Sequence, residues 1–343
     1  MNPPIALSVL DQSPVGSGRT PADALAETRE LARLADRLGY RRYWLAEHHN
    51  TEALAGPAPE VLIPLVAADT ERIRVGSGGV MLSHYSPLKV AETFKVLHAL
   101  FPGRIDLGVG RAPGSDRRTA LALAQGQPRS IERFPQQLAD LAAFLEDDLP
   151  AGHPFSGVRA TPATPGAPEL WLLGSSGESA AFAAALGCAF SFAHFINPQP
   201  GVAAAVLQGY RENFQPSKAL PAPRASLAVR ALCADTEAAA RRYSASFALM
   251  RVRFEKGVWG PVPSLDEALA YPYDPQERAR AEAILSDAAV GAPEQVQAHL
   301  EAMARAHGVD ELVVVTICHD PAARRRSYEL LAQAFGLAAA PPG

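Results

Sequence analysis

The stretch "RVGSGGVMLSHYSPLKVAETFKVLHALFPGRIDLGVGRAPG", residues 74–114, decides the fold. An apolar run with the character of a strand lies near each end, and residues 87–100 between them carry apolar side chains at helical spacing. Two parallel strands need a crossover connection, which a helix of this length provides. The stretch therefore predicts an α/β protein built on a parallel sheet.

The same alternation of strands and helices continues on both sides of this stretch. Strands that are apolar nearly throughout are typical of a parallel sheet covered on both faces. Eight units predict a closed (β/α)8 TIM barrel, formed by a single domain over residues 1–343. A doubly wound open sheet is the alternative, but no break divides the repeats into two halves. The predicted strands are 5–11, 42–48, 73–82, 104–111, 169–175, 188–195, 224–234 and 311–318.

One segment interrupts the alternation of strands and helices. Residues 250–290 separate strand 7 from an apparent return helix at 293–307, and they are rich in proline and glycine before becoming helical. Because long insertions in compact domains are often functional, this one predicts a lid over the site.

Composition excludes several classes of function. The net charge of -4 provides no basic surface for nucleic acid or an anionic membrane, so a small molecule is the expected partner. The three cysteines are widely spaced in apolar runs, which indicates buried free thiols in a reducing compartment. The sequence shows neither a secretory leader nor a run of about 18 apolar residues. We therefore expect a cytoplasmic protein.

Polar residues collect where the predicted strands end. Active sites of such barrels lie at the carboxyl ends of the strands, so this bias predicts a site at that rim. The residues concerned are Asp11, Gln12, Ser13, Glu47, His48, His49, Gly78, Gly79, Gly110, Arg111, Ser175, Ser176, Gly177, His194, His319 and Asp320.

The histidine pair and the glycines each have two interpretations. His48 and His49 would point to opposite faces of a strand, so they favour a pocket wall or a hydrogen-bonded structural pair over a metal site. The glycines of "GSGGVML" (76–82) either relieve crowding between strands or allow a flat ligand to approach the backbone.

Two segments have the character of anion-binding sites. Arg111 follows a strand end beside glycines, where its planar guanidinium suits a phosphate or a carboxylate. The segment "GVGRAPG" (108–114) departs from a dinucleotide fingerprint, because Pro113 occupies the third glycine position and Glu132 precedes a helix. The segment "GSSGES" (174–179) runs into a helix, which fits either phosphate binding or simple N-capping.

These motifs together resemble the bacterial luciferase-like flavin-dependent monooxygenases, in the luciferase-family oxidoreductase branch. The resemblance spans roughly residues 5–336 and rests on four segments: "LSVLDQSP", "YWLAEHHN", residues 74–114 and "LWLLGSSGESAAFAAALGCAFSFAHF". It implies a barrel that takes reduced FMN from a separate reductase, forms a C4a-hydroperoxide with O2 and oxidises a small organic substrate.

The resemblance also implies roles for individual residues. Gly78 and Gly79 match a non-proline cis peptide beside the flavin ring, and Arg111 matches an arginine at the FMN phosphate. The phosphate loop corresponds to Ser175, Ser176, Gly177 and Ser179. Glu47 matches a carboxylate beneath the flavin, and His48 matches the catalytic histidine. No metal is implied.

Departures from the family pattern leave some questions open. Gly110 and Ser175 stand where the luminescent members carry a reactive cysteine and a glutamate, so light emission is not implied. The alternatives are hydride transfer with the deazaflavin F420 and flavin binding without turnover. The resemblance further implies a homodimer formed through outer helices near strand 2, and the helix at 57–70 is apolar on more than one face, as such an interface requires.

Overall fold

The computed structural model describes residues 5–112, 114–125 and 133–338. Within these ranges eight parallel strands close into a barrel in the order β1-β2-β3-β4-β5-β6-β7-β9, and a short β8 pairs with β7 outside the ring. The (β/α)8 prediction is thus confirmed. The strands are β1 (Ala6–Asp11), β2 (Arg42–Leu45), β3 (Arg74–Met81), β4 (Ile105–Gly110), β5 (Glu169–Gly174), β6 (Ala189–Ala193), β7 (Ala225–Cys233), β8 (Ala289–Gly291) and β9 (Glu311–Val315).

Helices cover the outside of the barrel. They are α1 (Pro21–Leu38), α2 (Pro59–Ala68), α3 (Pro87–Leu100), α4 (Arg117–Leu123), α5 (Phe134–Glu146), α6 (Gly177–Leu186), α7 (Val202–Glu212), α8 (Glu237–Glu255), α9 (Leu265–Ala270), α10 (Pro275–Ser286), α11 (Pro293–His307) and α12 (Pro321–Ala334). None of the helices in the described ranges is both long and apolar enough to cross a membrane.

The predicted elements differ from the structure mainly at their ends. β2 stops at Leu45 and not at 48, and β9 stops at Val315 and not at 318, because the following residues turn into loops at the rim. Sequence analysis missed β8 and α4. Pro113 and Glu132 lie outside the described residues, as do the first two residues of the helix that apolar spacing predicts over 131–145.

Local sequence explains where α1 begins and ends. The side chains and backbone N–H groups of Thr20 and Asp23 form a reciprocal capping box at the start of the helix. Gly39 ends it with φ 85°, and a Cβ at this position would lie 2.4 Å from the carbonyl oxygen of Ala338. Glycine is therefore required there both by conformation and by space.

Charged residues close the amino-terminal end of the barrel. The guanidinium of Arg42 donates to Asp106 and to Glu311, each at 2.8 Å, and all three side chains are buried. Burial opposes the charge of Arg42, but these two carboxylates and that of Glu169 outweigh it and raise its pKa above the usual range. Above this layer the Trp44 and Trp171 rings pack edge to face at 5.2 Å. Side chains therefore fill the barrel interior at the amino-terminal ends of the strands, and open space remains at their carboxyl ends.

Residues 250–290 continue outward from the rim. Apolar spacing in the sequence predicts a helix over residues 236–248, but α8 runs to Glu255 and is followed by α9, α10 and β8. Val262 exchanges backbone hydrogen bonds with Val15 and Ser17 in the loop after β1, at 2.8 Å each. These bonds place the first part of the segment beside the rim.

Candidate active site

A cavity of about 720 Å³ lies at the carboxyl ends of the barrel strands. Gln12 follows β1, His48 follows β2, Phe195 follows β6 and Ile317 follows β9, and all four line it. The segment after α8 forms one wall through Val258, Trp259, Gly260, Pro261 and Pro263. Its size fits a cofactor-sized or drug-sized ligand.

Glu47 is buried beside this cavity and accepts three hydrogen bonds. The donors are the backbone N–H of Met81 at 2.9 Å, the hydroxyl of Tyr85 at 2.8 Å and Nε2 of His49 at 2.7 Å. Burial and the adjacent Glu47 charge raise the pKa of Tyr85 well above its usual value. Tyr85 therefore remains a neutral donor, and Glu47 fixes groups from β3 and the loops after β2 and β3. Both of its carboxylate oxygens accept from protein donors.

His48 lines the cavity directly. Its backbone N–H donates to the carbonyl of Gly56, and that of His49 donates to Gly114, so loops hold both residues after β2 has ended. Burial, with a smaller effect of His49, lowers the pKa of His48 to about 4. Imidazole ordinarily titrates near pH 6.5, but His48 is neutral at physiological pH and has to act as a neutral donor or acceptor.

The peptide bond between Gly78 and Gly79 is cis, as predicted. A Cβ at Gly78 would lie 2.6 Å from Leu10 Cδ1, and one at Gly79 would lie 2.6 Å from the carbonyl oxygen of Gly108. A Cβ at Gly108 would likewise lie 2.2 Å from the carbonyl oxygen of Ser77. These glycines therefore relieve crowding within the barrel wall, which was one of the two interpretations.

Arg111 and the start of α6 form a second polar group at the rim. Arg111 makes an ion pair with Glu178, which lies in the first turn of α6. Ser176 occupies the N-cap position, but its hydroxyl makes no capping hydrogen bond. The simple capping interpretation is thus wrong for Ser176. Ser179 is buried, and its side chain faces Gly174, where a Cβ would lie 2.5 Å from Ser179 Cβ.

Two predicted rim residues have other roles. Asp11 is fully buried and accepts from Arg324 Nη2 at 2.6 Å and from the Tyr43 hydroxyl at 2.6 Å. It therefore ties β1 and β2 to α12 and does not face the cavity. His194 lies with its ring centroid 5.9 Å from that of His307 in α11.

Sequence analysis missed Arg230, which lines the cavity from the middle of β7. Its Nη2 donates to the carbonyl of Phe195 at 3.2 Å, and its guanidinium carbon lies 4.0 Å from the ring centroid of Phe247. The feature of the sequence that could have identified Arg230 is that it is the one charged residue in the apolar strand "ASLAVRALC".

Comparison with known proteins identifies relatives over nearly the whole chain. The family described as luciferase-like monooxygenase matches residues 5–311. An N-acetyl-S-alkylcysteine monooxygenase of Bacillus subtilis (strain 168) is 38% identical over 338 residues, covering 96% of this chain and 98% of the relative. The crystal structure of apo-MsnO8 has a TM-score of 0.89 and 45% identity, covering 98% and 100% of the two chains.

A more distant structure shares the fold alone. It is the oxygenating constituent of 3,6-diketocamphane monooxygenase from Pseudomonas putida, a type II Baeyer-Villiger monooxygenase in complex with FMN. The TM-score is 0.69 at 20% identity, over 96% of this chain and 97% of that one.

Proposed function

The chain belongs to the luciferase-like monooxygenase family, and from that premise we propose that it is an FMN-dependent monooxygenase oxidising a small organic substrate with O2. The observation that carries the proposal is the cavity at the barrel rim, bordered by His48 and backed by the buried Glu47. Barrel enzymes place their chemistry at this end.

The polar group around α6 suits the phosphate of FMN. The start of the helix presents backbone N–H groups, the Ser176 hydroxyl is not used for capping, and Arg111 supplies positive charge. A phosphate dianion would take the place of the Glu178 carboxylate at Arg111. Ser175 and Gly177 complete the loop, whereas Ser179 would support it from beneath Gly174.

Bound reduced FMN would supply the electron pair that activates O2 for transfer of one oxygen atom to the substrate. The chain provides the surroundings. His48, neutral at physiological pH, can accept a hydrogen bond or proton at one ring nitrogen and donate at the other. Glu47 holds Tyr85 and His49 in place beside it. We assign the catalytic role to His48 and the positioning role to Glu47.

Residues 250–290 form the lid in this account. Trp259 packs edge to face on Phe254 with ring centroids 4.7 Å apart, and both residues line the cavity. Apolar side chains at the mouth exclude water, which favours transfer of oxygen to substrate over its loss as hydrogen peroxide. We treat the lid and the barrel as one domain.

Reduced FMN would come from a separate flavin reductase, and the protein would act as a homodimer. Support for the dimer comes from four exposed apolar side chains on the neighbouring helices α2 and α3. They are Val61, Leu65, Val96 and Leu100.

The nature of the cofactor is tested by titration with FMN, riboflavin and F420. The proposal expects FMN to bind at least about tenfold more tightly than riboflavin, because only FMN carries the phosphate. Tighter binding of F420 than of FMN would favour the hydride-transfer alternative and overturn the proposal.

A further inference from the structure

Arg230 carries a positive charge that no described carboxylate contacts directly, although Asp287 acts on it electrostatically. It forms no ion pair with a described carboxylate, its Nε is buried without a hydrogen-bond acceptor, and its one hydrogen bond goes to the Phe195 carbonyl. Burial, with a smaller effect of Arg251, lowers the pKa of Arg230 to about 10. The side chain therefore stays charged at physiological pH at a cost in solvation.

The acidic residues that share the cavity are committed elsewhere. Asp116 caps α4 by accepting from the backbone N–H groups of Arg118 and Thr119. Glu267 forms the capping box of α9 with Ser264. Neither carboxylate is held against Arg230, although both border the same space.

The neighbouring arginine differs from Arg230 in this respect. Arg251 also lines the cavity, but its guanidinium lies 3.5 Å from Glu255, one turn further along α8. Arg253 also lines the cavity, with its guanidinium carbon 5.5 Å from the ring centroid of Tyr271. Arg230 differs from both in its buried Nε without an acceptor among the described residues, and Phe247 covers one face of its guanidinium at 4.0 Å. A guanidinium in such surroundings has donors left to bind an anion from outside the protein.

The side chains that line the rest of the cavity indicate the chemistry of the rest of the ligand. The cavity wall around Arg230 is mainly apolar. A ligand that pairs with the guanidinium and also packs against this wall would have one anionic end and an apolar body. The apolar residues are Phe195, Ile196, Phe247, Met250, Val315 and Ile317.

We propose that Arg230 recognises a carboxylate on the substrate, so that the enzyme selects small apolar molecules carrying one carboxylate group. This inference rests on the proposed function in assigning the cavity to the substrate. A charge-assisted hydrogen bond to a buried guanidinium discriminates strongly between a carboxylate and a neutral group of the same shape.

A matched pair of ligands tests the inference. Benzylthioacetate and its neutral amide, benzylthioacetamide, share an apolar ring and a thioether and differ in charge. Calorimetric titration of the FMN-loaded protein should show the carboxylate binding about ten- to a hundredfold more tightly than the amide. In Arg230→Gln this preference should fall to less than about threefold with unchanged affinity for the amide, and Arg230→Lys should keep part of it.

Arg241→Gln serves as the control, because Arg241 is exposed on α8 and pairs with Glu282. It should keep the full preference for the carboxylate. If Arg230→Gln does not fold, Arg230→Met replaces it, since an apolar chain of similar length removes the buried charge.

The outcomes separate this inference from the proposed function. Equal binding of the two ligands to the wild type, or a preference that survives in Arg230→Gln, overturns the role of Arg230. A parallel loss of FMN affinity in Arg230→Gln also overturns it, because Arg230 would then belong to the flavin site. If the wild type binds no FMN, the proposed function fails, and the same ligand pair measured without FMN still decides the role of Arg230.

Discussion

Glu47 and Tyr85 are joined by a hydrogen bond of 2.8 Å from the tyrosine hydroxyl to the buried carboxylate. The same carboxylate accepts from His49 and from the backbone N–H of Met81. The Glu47 side chain therefore holds together the carboxyl ends of β2 and β3, next to the candidate catalytic residue His48. The pocket wall depends on this carboxylate for its shape.

The first prediction concerns that carboxylate. Glu47→Ala should lower the free energy of unfolding by about 2–4 kcal/mol, because three partly buried donors lose their buried acceptor. Tyr85→Phe removes one donor and leaves the carboxylate with two, so it should cost about 1 kcal/mol. Urea unfolding of both variants measures the difference, and equal stability of Glu47→Ala and the wild type would show that Glu47 does not organise the rim.

The second prediction concerns the phosphate site. Arg111→Ala should weaken FMN binding about ten- to a hundredfold and leave riboflavin binding nearly unchanged, because Arg111 acts on the phosphate alone. Arg118→Ala is the control, since it removes an exposed arginine from α4. If FMN and riboflavin lose affinity equally in Arg111→Ala, Arg111 does not bind the phosphate.

The third prediction follows from the depressed pKa of His48. Its pKa is about 4 in the folded protein and near 6.5 in the unfolded chain, so the unfolded chain binds the proton first as pH falls. The stability linked to neutral His48 is complete above about pH 6.5 and is lost progressively toward pH 4. The free energy of unfolding of the wild type, relative to His48→Gln, should therefore fall by about 2–3 kcal/mol between pH 7 and pH 4.5.

Denaturant unfolding at the two pH values measures this change, and other titrating groups cancel in the difference between the two proteins. His299→Gln provides a comparison at an exposed histidine on α11 and should follow the wild type at both pH values. A constant difference between wild type and His48→Gln would mean that burial does not suppress the charge of His48.

The fourth prediction is the homodimer. The protein should elute at about 73 kDa, twice the chain mass of 36.3 kDa. Leu65→Glu should weaken the dimer at least about tenfold, because it places a charge in the proposed apolar interface of α2 and α3. Leu269→Glu alters a leucine on α9 that is at least as exposed as Leu65, and this variant should remain dimeric. Light scattering that gives about 36 kDa for the wild type at working concentration would contradict the proposal.

The barrel could be predicted from sequence because its signal is local. Each apolar strand and each helix shows its own periodicity, and start signals such as Thr20 and stop signals such as Gly39 lie beside the element they bound. The end of β2 could not be read in this way. His48 and His49 lie outside the strand because their backbone N–H groups donate to the carbonyls of Gly56 and Gly114. The periodicity of the sequence around β2 carries no information on these contacts.

Features of the candidate site could be predicted where the residues concerned are adjacent in the chain, as for the cis peptide bond between Gly78 and Gly79. Asp11 was assigned to the rim, since nothing near it indicates that Arg324, 313 residues later, holds its carboxylate. Arg230 was passed over because a single charge in a strand has no partner in the sequence to suggest its purpose. Its candidate role is inferred from the Phe195 carbonyl and the Phe247 ring, which only the fold brings next to it.

The most direct test of the account is the fate of oxygen in wild type and His48→Ala. Reduced FMN, isotopically labelled O2 and benzylthioacetate are mixed with each protein, and the labelled sulfoxide and hydrogen peroxide are quantified. The account predicts a sulfoxide carrying one labelled oxygen atom with the wild type, and at least about a hundredfold less of it with His48→Ala, which still binds FMN and yields hydrogen peroxide instead. No labelled sulfoxide from the wild type, or an undiminished amount from His48→Ala, would contradict it.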